Sequence, residues 1–385
     1  MSTIKVNRIE NTSTTDGGVS IDVDGHVTID GQQLPTAGPL SNRNRIINGD
    51  MRIDQRNAGA SVTPADGNYT LDRWRAGASA ASKFSVQQSS IAPTGFNFSM
   101  LCTSLSAYSV GTNDNFEMMQ YIEGFNAADF GWGTANAQTV TLSFWVRSSL
   151  TGTFGGSINN SAFNRSYPFS YTISVADTWE YKTITIAGDT SGTWVGATNG
   201  IGIVVCIGLG AGTGRSGTAG SWSGSTFYNA TGATSVVGTN GATFYITGVQ
   251  LEVGSKATPF EHESYGQTLA KCQRYYFRIN GSDNINGLWG TGFAYSSDQA
   301  VISVPTPVTL RAAPTAIEQS GTAADYRILE SGNTVTCTAV PAYGDDTTNN
   351  VVVAAFSTGN LTAGQGVMGR WNTGGNGYLA WSVEL

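Results

Sequence analysis

The sequence has few of the residues on which most enzymes and metal sites depend. It holds two histidines, His26 and His262, and its four cysteines lie far apart and form no CxxC pair. The histidines are distant from each other among turn-like residues, so we expect neither to act as a general base. No HExxH, GxSxG or Walker lysine motif occurs. Cys206 lies within the apolar run Ile-Val-Val-Cys-Ile, which predicts a small buried side chain.

Charged side chains are also scarce, and their balance is acidic. Asp and Glu number 27 against 20 Lys and Arg, a formal net charge of −7, and charged residues make up 12% of the chain, about half the usual share. This balance argues against nucleic-acid binding, which uses clustered basic residues. The longest apolar run, residues 201–209, is too short to span a bilayer, and the N-terminus lacks the apolar core of a signal peptide. We therefore expect synthesis in a cytoplasm without membrane insertion.

Glycine, by contrast, is abundant, with 49 residues in a chain that is 40% hydrophobic. Between the glycine-rich turns, apolar and polar residues alternate: Val140, Leu142, Phe144 and Val146 share one face of a strand, and the residues between them share the other. The same period recurs near residues 171–175, 184–186, 201–205 and 244–251. Many short strands with such turns predict an all-β fold, with a sandwich or jelly roll over residues 43–263.

The first 42 residues form a separate, polar segment with short apolar ridges. Val19, Ile21 and Val23 make one ridge, and Val27 and Ile29 make another. Two ridges of this size cannot form a core within one chain, because an isolated hairpin is marginal in water. This N-terminal arm is therefore either flexible or shares a core with other copies of the chain.

One helix is predicted, within a connecting segment of residues 264–279. Tyr265, Leu269, Cys272 and Tyr276 recur at spacings of four, three and four, which gives an apolar seam one side chain wide. Such a seam is typical of helices from separate chains that meet. The alternative is a single helix that packs by its apolar stripe on its own sandwich.

Residues 280–385 return to short strands and form a predicted β-sandwich tip whose last strand runs to the C-terminus. Aromatic residues in this tip lie among Asn, Gly and Thr, a composition that suits stacking on sugar rings. The candidates for glycan binding are Trp289, Tyr295, Tyr343, Trp371 and Tyr378. Packing in the core or in an interface is the alternative role for each, whereas Trp381 shares a face with Leu379 and Val383 and is expected in the core.

Two further motifs match the patterns of binding or catalytic sites, but each also has a purely structural interpretation. Residues 212–217 match GxGxxG, but the residues that follow cannot open a helix, so we predict a loop and not a phosphate site. Asp345 and Asp346, near two asparagines, are candidates for a structural Ca²⁺ or for a glycosidase pair, and a solvated turn is the alternative. No spacing of residues favours catalysis, and we expect no enzyme.

Four segments have sequences specific enough to compare with known families. They are residues 48–56 (NGDMRIDQR) with 69–74 (YTLDRW), residues 142–147 (LSFWVR) with 177–181 (DTWEY), residues 249–261 (VQLEVGSKATPFE) with 264–266 (SYG) and 272–276 (CQRYY), and residues 308–314 (VTLRAAP). The first resembles the opening of tail fibre bodies of tailed bacteriophages, of the type found in marine phages and cyanophages. The second resembles core strands of carbohydrate-binding-module jelly rolls. The third, the most specific, and the fourth also resemble such fibres.

The resemblance implies a homotrimeric tail fibre, a structural virion component made in the cytoplasm of a host bacterium. Residues 1–42 would attach to tail or baseplate proteins, and the C-terminal β domain would bind a polysaccharide of the host surface. Residues 246–249 read ITGV where sugar-binding modules often have an acidic pair. The resemblance therefore predicts the architecture of this chain, but no metal or glycan site of those modules. Two alternatives remain: a capsid or baseplate fibre with a purely structural role, and a glycan hydrolase.

Overall fold

A computed structural model describes residues 8–10, 18–21, 27–29, 32–33, 41–281, 287–344, 347–372 and 376–385. The chain divides into two compact units, residues 1–263 and 264–385. The predicted jelly roll falls in the first unit, and the predicted helix and tip both fall in the second.

The described residues of the first unit form short strands. These are β1 (Arg8–Glu10), β2 (Gly18–Ile21), β3 (Val27–Ile29), β4 (Gln32–Gln33), β5 (Arg75–Ala78), β6 (Phe84–Ser89), β7 (Ser99–Ser104), β8 (Asn115–Glu123), β9 (Val140–Ser148), β10 (Gly152–Asn160), β11 (Ser166–Ile173), β12 (Glu180–Ile186), β13 (Ile201–Ala211), β14 (Ser216–Gly217), β15 (Asn229–Ala230) and β16 (Thr243–Val253). Two single turns of 3₁₀-helix, Gly124–Asn126 and Ala128–Phe130, follow β8.

Ten of these strands form two antiparallel five-stranded sheets. The first sheet has the order β11-β10-β13-β8-β5, and the second has the order β12-β9-β16-β7-β6. Strands close in sequence often lie in different sheets, so that the chain crosses repeatedly between the layers, as in a jelly roll. The predicted all-β jelly-roll sandwich is therefore confirmed by the strand order.

The core of this sandwich follows from the alternation along its strands. On β9, Val140, Leu142, Phe144 and Val146 are all fully buried, while Trp145 on the other face is only half-buried. Inward-facing side chains of both sheets form one cluster of apolar residues. The predicted face assignment for β9 is thus correct.

The sequence NGDMRIDQR forms a turn that side chains hold closed. The Asn48 side-chain amide donates to the carbonyls of Ile53 and Asp72 at 2.8 and 3.1 Å, and its oxygen accepts the Ile53 N–H at 2.9 Å. The indole N–H of Trp74 donates to the Asn48 carbonyl at 3.2 Å. Buried backbone groups that no strand pairs are satisfied in this way, so this motif has a structural role.

The described parts of the N-terminal arm form a small antiparallel sheet in the order β1-β2-β3-β4. Its apolar side chains are incompletely covered: Ile9 is 63% exposed, Ile21 is 43% exposed and Val19 is half-buried. Val23 lies outside the described residues. Sharing of this sheet between chains stays a prediction.

The described residues of the second unit form one helix and ten strands. These are α1 (Tyr265–Gln273), β17 (Tyr276–Asn280), β18 (Leu288–Ala294), β19 (Gln299–Pro305), β20 (Glu318–Gln319), β21 (Tyr326–Glu330), β22 (Asn333–Thr336), β23 (Ala342–Tyr343), β24 (Val351–Ser357), β25 (Gly366–Trp371) and β26 (Tyr378–Ser382). A 3₁₀ turn, Ala323–Asp325, precedes β21.

These strands form two antiparallel sheets around a second core. One sheet has the order β17-β26-β20, and the other has the order β22-β21-β25-β18-β19-β24-β23. Leu379 and Trp381 from the first sheet pack in one cluster with Ile302 from the second. The core position of Trp381 is confirmed, but the last strand ends at Ser382 and does not reach Leu385.

The predicted helix is present, and its seam is partly wrong. Ser264 caps α1, because its hydroxyl accepts the Gln267 N–H while the Gln267 side chain accepts the Ser264 N–H. Cys272 and Tyr276 are 0% and 1% exposed within a single chain, and Tyr276 begins β17 instead of continuing the helix. Neither is available to a partner helix.

The other two seam candidates remain accessible. Tyr265 is 59% exposed, and Leu269 is half-buried. With Cys272 buried, the arrangement fits the alternative of a helix that packs by its apolar side against its own chain.

The remaining fold expectations concern cysteines, the glycine motif and membranes. All four cysteines are buried thiols, Cys206 among them. Residues 216–217 of the GxGxxG match form β14, which pairs with β15, so no helix follows the motif. None of the helices in the described part of the chain combines the length and the apolar character needed to cross a membrane.

Candidate functional site

Of the five aromatic residues proposed for glycan binding in the tip, the structure buries Trp371 and packs the half-buried Trp289 against the core. Trp371 is 3% exposed and packs in the core against Tyr326, with 5.8 Å between ring centroids. Trp289 packs on Trp371 at 5.4 Å and on Phe356 at 5.1 Å. Trp371 is therefore wrong as a glycan contact and Trp289 is mainly a core residue, because aromatic rings dominate core burial.

The other three tip candidates lie apart on different strands. Tyr295 follows β18 and is 66% exposed, Tyr343 lies on the edge strand β23, and Tyr378 belongs to the other sheet. The Arg278 guanidinium lies 3.8 Å from the centre of the Tyr378 ring and covers it. These residues do not converge on one site, and sugar binding by the exposed Tyr295 stays a prediction.

The metal candidates Asp345 and Asp346 lie outside the described residues. Within the residues that are described, no group of three or more His, Cys, Asp or Glu side chains is placed to hold a metal ion.

The structure instead brings aromatic side chains together on the outer face of the second jelly-roll sheet. A cavity of about 470 Å³ opens there. We call it the aromatic groove, and its rings are Phe96, Trp145, Tyr181, Phe260 and His262. Thr94, Gly95, Ala257, Thr258 and Pro259 complete its lining. Four stretches of chain that are distant in sequence thus build one concave, mainly apolar surface.

Two neighbouring strands place the first ring pair. Trp145 on β9 pairs directly with Tyr181 on β12, and their ring centroids are 5.3 Å apart at an angle of 46°. Because Phe144 points into the core, its neighbour Trp145 must point out. The outward ring pair is therefore fixed by strand register and not by a loop.

Two loops supply the remaining three rings. Phe96 and Phe260 are 5.2 Å apart, Phe260 and His262 are 5.0 Å apart, and Phe96 and His262 are 5.2 Å apart, each measured between ring centroids. Edge-to-face and tilted contacts at these distances are favourable for aromatic rings. The three rings form a wall beside the Trp145–Tyr181 pair.

Gly248 lies directly against the Phe96 and Trp145 rings of the groove. It lies at an irregularity between β16 and β9, with a φ of +62°. A Cβ atom at this position would lie 2.7 Å from the Phe96 ring and 3.2 Å from the Trp145 ring. Only glycine combines this backbone conformation with such close approach of two aromatic rings.

A buried network of polar side chains fixes the loop that carries Phe260 and His262. Glu252 is 1% exposed, and its carboxylate accepts the Thr258 N–H at 2.8 Å and the Thr258 hydroxyl at 2.7 Å. Gln250 donates to the Glu252 carboxylate at 2.8 Å and accepts the Glu261 N–H at 2.8 Å. Much of the motif VQLEVGSKATPFE therefore serves to shape one wall of the groove.

The lining of the groove is mainly apolar and has a few polar atoms. Burial raises the pKa of Tyr181 above its ordinary value, so that its hydroxyl keeps its proton and can donate a hydrogen bond. The lining residues of the groove, all of which are described, include no Asp or Glu. The arrangement suits the binding of a neutral ligand with apolar faces and hydroxyl groups.

Sequence reasoning missed this groove, although two signals pointed to it. Trp145 lies on the polar face of an amphipathic strand, where a tryptophan is unusual. Phe260 lies in the segment VQLEVGSKATPFE, the most specific of the segments described above. What the sequence did not reveal is that strand register and two distant loops bring these residues together.

Comparisons with known proteins give no family for this chain. No protein-family model matches it. No curated protein matches it either.

Solved structures match about half of the chain at low similarity. The enzymatically active domain of tailspike protein 4 from bacteriophage CBA120 is 12% identical with a TM-score of 0.30, and the match covers 55% of this chain and 21% of that one. The CBM22-1 xylan-binding domain of Xyn10C from Paenibacillus barcinonensis is 10% identical with a TM-score of 0.27 and coverages of 52% and 99%. A family 11 carbohydrate-binding module from Clostridium thermocellum, in complex with a mixed-linked tetrasaccharide, is 12% identical with a TM-score of 0.25 and coverages of 53% and 99%. Identity and TM-score are too low for these matches to bear on function.

Proposed function

We propose that this protein binds a glycan in the aromatic groove of its jelly-roll unit. The observation that carries the proposal is the convergence of five rings on one cavity, whose volume is about 470 Å³. The faces of sugar rings present C–H groups that pack on aromatic side chains, and their hydroxyl groups hydrogen-bond at the edges of such a site. Strand pairing preorganises the Trp145–Tyr181 pair, which lowers the entropic cost of binding.

Binding of the purified chain to immobilised bacterial surface polysaccharides tests this proposal. We expect Trp145→Ala and Tyr181→Ala each to weaken binding by about tenfold, since loss of one buried aromatic contact costs roughly 1–2 kcal/mol. Trp179→Ala is the matched control, because Trp179 packs on Tyr245 outside the groove. Unchanged binding by both groove variants would exclude the groove as the glycan site.

We propose further that the groove binds without hydrolysis. A glycosidase requires two carboxyl groups on either side of the scissile bond, and the groove lining supplies none. Incubation of the intact chain with the polysaccharide it binds should release no reducing ends. Release of reducing ends would support the glycan hydrolase alternative.

For the biological setting, we propose a homotrimeric tail fibre of a bacteriophage that is attached through residues 1–42. The four sequence segments described above support this assignment. Apolar side chains that one chain leaves exposed, including Ile9, Ile21, Phe293 and Met368, are available for burial between chains. The location would then be the virion, with tail or baseplate proteins and a host surface polysaccharide as partners.

Light scattering on the intact chain tests the trimer. The expected mass is three times 40.4 kDa, and a chain that begins at Arg43 shows whether the arm is needed for assembly. A monomer would remove the physical basis of the fibre proposal. Antibody labelling of the particle then separates a tail fibre from a capsid fibre, because signal on the head excludes tail attachment.

A further inference from the structure

A second pocket lies on the outer face of the other jelly-roll sheet, and the proposed glycan site does not use it. Its volume is about 260 Å³. We call it the polar pocket, and its lining residues are Asp66, Arg75, Ser79, Asn115, Glu117, Met119, Tyr121, Phe163 and Tyr228. Strands β5 and β8 form its floor, and the loops that carry Phe163 and Tyr228 form one side. A cavity with convergent polar groups of this kind is typical of a small-ligand site.

Glu117 lies at the floor of the polar pocket and is short of hydrogen-bond donors. Its side chain is 1% exposed, and the Asn115 amide donates to its two carboxyl oxygens at 2.9 and 3.2 Å. When the carboxyl group is ionised, its two oxygens accept about four hydrogen bonds if they are fully satisfied. Gly77 provides the space for this carboxyl group, since a Cβ there would lie 1.9 Å from its Oε1 atom. A ligand in the pocket can supply the missing donors.

The ionised form of Glu117 favours a cationic ligand, although the nearby Arg215 guanidinium opposes it. Two carboxyl groups, Asp66 and Glu117, line the pocket with one guanidinium, Arg75. That guanidinium already donates to the Tyr121 hydroxyl at 3.0 Å and lies 5.3 Å from the centre of the Tyr121 ring. It also packs against the turn at Gly67, where a Cβ would lie 2.9 Å from it. An anionic ligand would therefore compete with contacts that Arg75 already makes.

The aromatic side of the pocket favours the same charge. Phe163 and Tyr228 form a ring pair with centroids 5.6 Å apart. The faces of aromatic rings attract cations, and the attraction strengthens where water is excluded. Rings and carboxyl groups together form the usual surroundings of a bound ammonium group.

We propose that the polar pocket binds the ammonium group of a compact, amine-bearing ligand the size of an amino sugar, with Glu117 as the acceptor of its hydrogen bonds. Asp66 at the mouth adds a second negative charge, and the Phe163–Tyr228 pair covers the apolar side of the ligand. The pocket is separate from the aromatic groove, so this inference does not rest on glycan binding there.

Binding of an ammonium group should be linked to the release of a proton from Glu117. Burial raises the pKa of Glu117 to about 8, with Asp66 adding to the rise and Asn115, Arg75 and Arg215 opposing it. The ionisable groups Tyr121, Cys206 and Tyr228 also face this carboxyl. Near pH 6.5 Glu117 is therefore protonated in the empty pocket, and a cation that pairs with its carboxylate displaces the proton into solvent.

Calorimetric titration of the intact chain with D-glucosamine at pH 6.5, in buffers of different ionisation enthalpy, tests the proposal. We expect binding with release of nearly one proton. N-acetyl-D-glucosamine, whose nitrogen carries no charge, should bind at least tenfold more weakly. Glu117→Gln keeps the shape of the side chain and should lower the affinity for D-glucosamine at least tenfold and abolish proton release, because a charge-assisted hydrogen bond is lost.

Two further variants keep the test independent of folding. Asp66→Asn at the exposed mouth should weaken binding severalfold, since its Oδ1 can still accept the Ala78 N–H that Asp66 accepts at 3.0 Å. Glu180→Gln, on the second sheet, is the matched control and should leave binding unchanged. Equal binding of the acetylated sugar, absence of proton release, or no binding of D-glucosamine at millimolar concentration would each overturn the proposal. Polysaccharide binding by Glu117→Gln reports on the aromatic groove separately.

Discussion

Glu117 is a single residue whose burial should make the stability of the protein depend on pH. Its pKa of about 8 in the folded chain lies above the ordinary value of 4.5 that it regains on unfolding. The folded state therefore holds a proton that the unfolded chain loses, and stability falls as the pH rises from about 4.5 to about 8. Over this range the free energy of unfolding falls by about 1.4 kcal/mol for each unit of difference between the two pKa values. Unfolding midpoints in urea at pH 5, 6.5 and 8 measure this slope, and Glu117→Gln should flatten it.

The matched control for this prediction is Glu180→Gln. Hydrogen bonding to Lys182 lowers the pKa of Glu180, so this carboxyl is ionised above pH 5 in both the folded and the unfolded chain. Its replacement should leave the slope between pH 5 and pH 8 unchanged. A Glu117→Gln variant with the wild-type slope would show that Glu117 is ionised in the folded protein.

Gly248 is the residue on which the shape of the aromatic groove depends most directly. Gly248→Ala adds backbone strain at φ +62°, worth roughly 1–2 kcal/mol, and also forces the Phe96 ring to move. We expect a lower unfolding temperature together with a loss of polysaccharide binding of about tenfold. Gly220→Ala is the control: Gly220 also has a positive φ, of +89°, but a Cβ there meets no atom within 4 Å. It should show strain of similar size with unchanged binding.

At the scale of elements, the loop of residues 254–262 depends on polar contacts beneath it. Thr258→Val removes the hydroxyl that donates to Glu252 at 2.7 Å while it keeps the shape of the side chain. Loss of one hydrogen-bond donor to a buried carboxylate lowers the free energy of unfolding by about 1–3 kcal/mol. We expect faster proteolytic cleavage within this loop and weaker polysaccharide binding.

Thr172→Val, at an exposed position of β11, is the control for the loop variant and should change neither cleavage nor binding. If Thr258→Val were cleaved at the wild-type rate, the shape of the loop would have to come from Pro259 and the aromatic contacts instead of the Glu252 network.

The sequence was informative about elements because each element leaves a local pattern. Alternation along residues 140–147 identified β9 and its buried face, and the spacing of apolar residues after Ser264 located α1. The tip aromatics were harder to assign, because Trp371 has the same glycine-rich neighbours whether it lies in the core or on the surface. The groove was harder still, since no local pattern indicates that Trp145 lies opposite Tyr181 or that the Phe96 and Trp145 rings both lie close to Gly248.

At the scale of the whole chain, two separate hydrophobic cores predict two unfolding transitions. One core contains Phe144 and the other contains Ile302, and both side chains are fully buried. Calorimetry of the full chain should resolve one transition for each unit. Phe144→Ala should lower only the first unit's transition, and Ile302→Ala only the second's, each by several degrees, because such truncations cost about 2–5 kcal/mol.

The two variants also serve as controls for each other. A single transition that shifts equally with either substitution would mean that the units unfold together. Assignment of each transition is possible because Trp74 lies in the first core and Trp381 in the second, so replacement of either indole marks its unit in fluorescence.

The burial of every thiol has a practical consequence for imaging. Reagents such as maleimides require an accessible thiolate, whereas Cys102, Cys206 and Cys272 are 0% exposed and Cys337 is 5% exposed. Burial also raises the pKa of Cys337 to about 12. The native chain should therefore stay unlabelled, and a cysteine introduced at the exposed position Ser297 would carry one dye per chain. Counting the bleaching steps of single particles would then report directly how many chains each one contains.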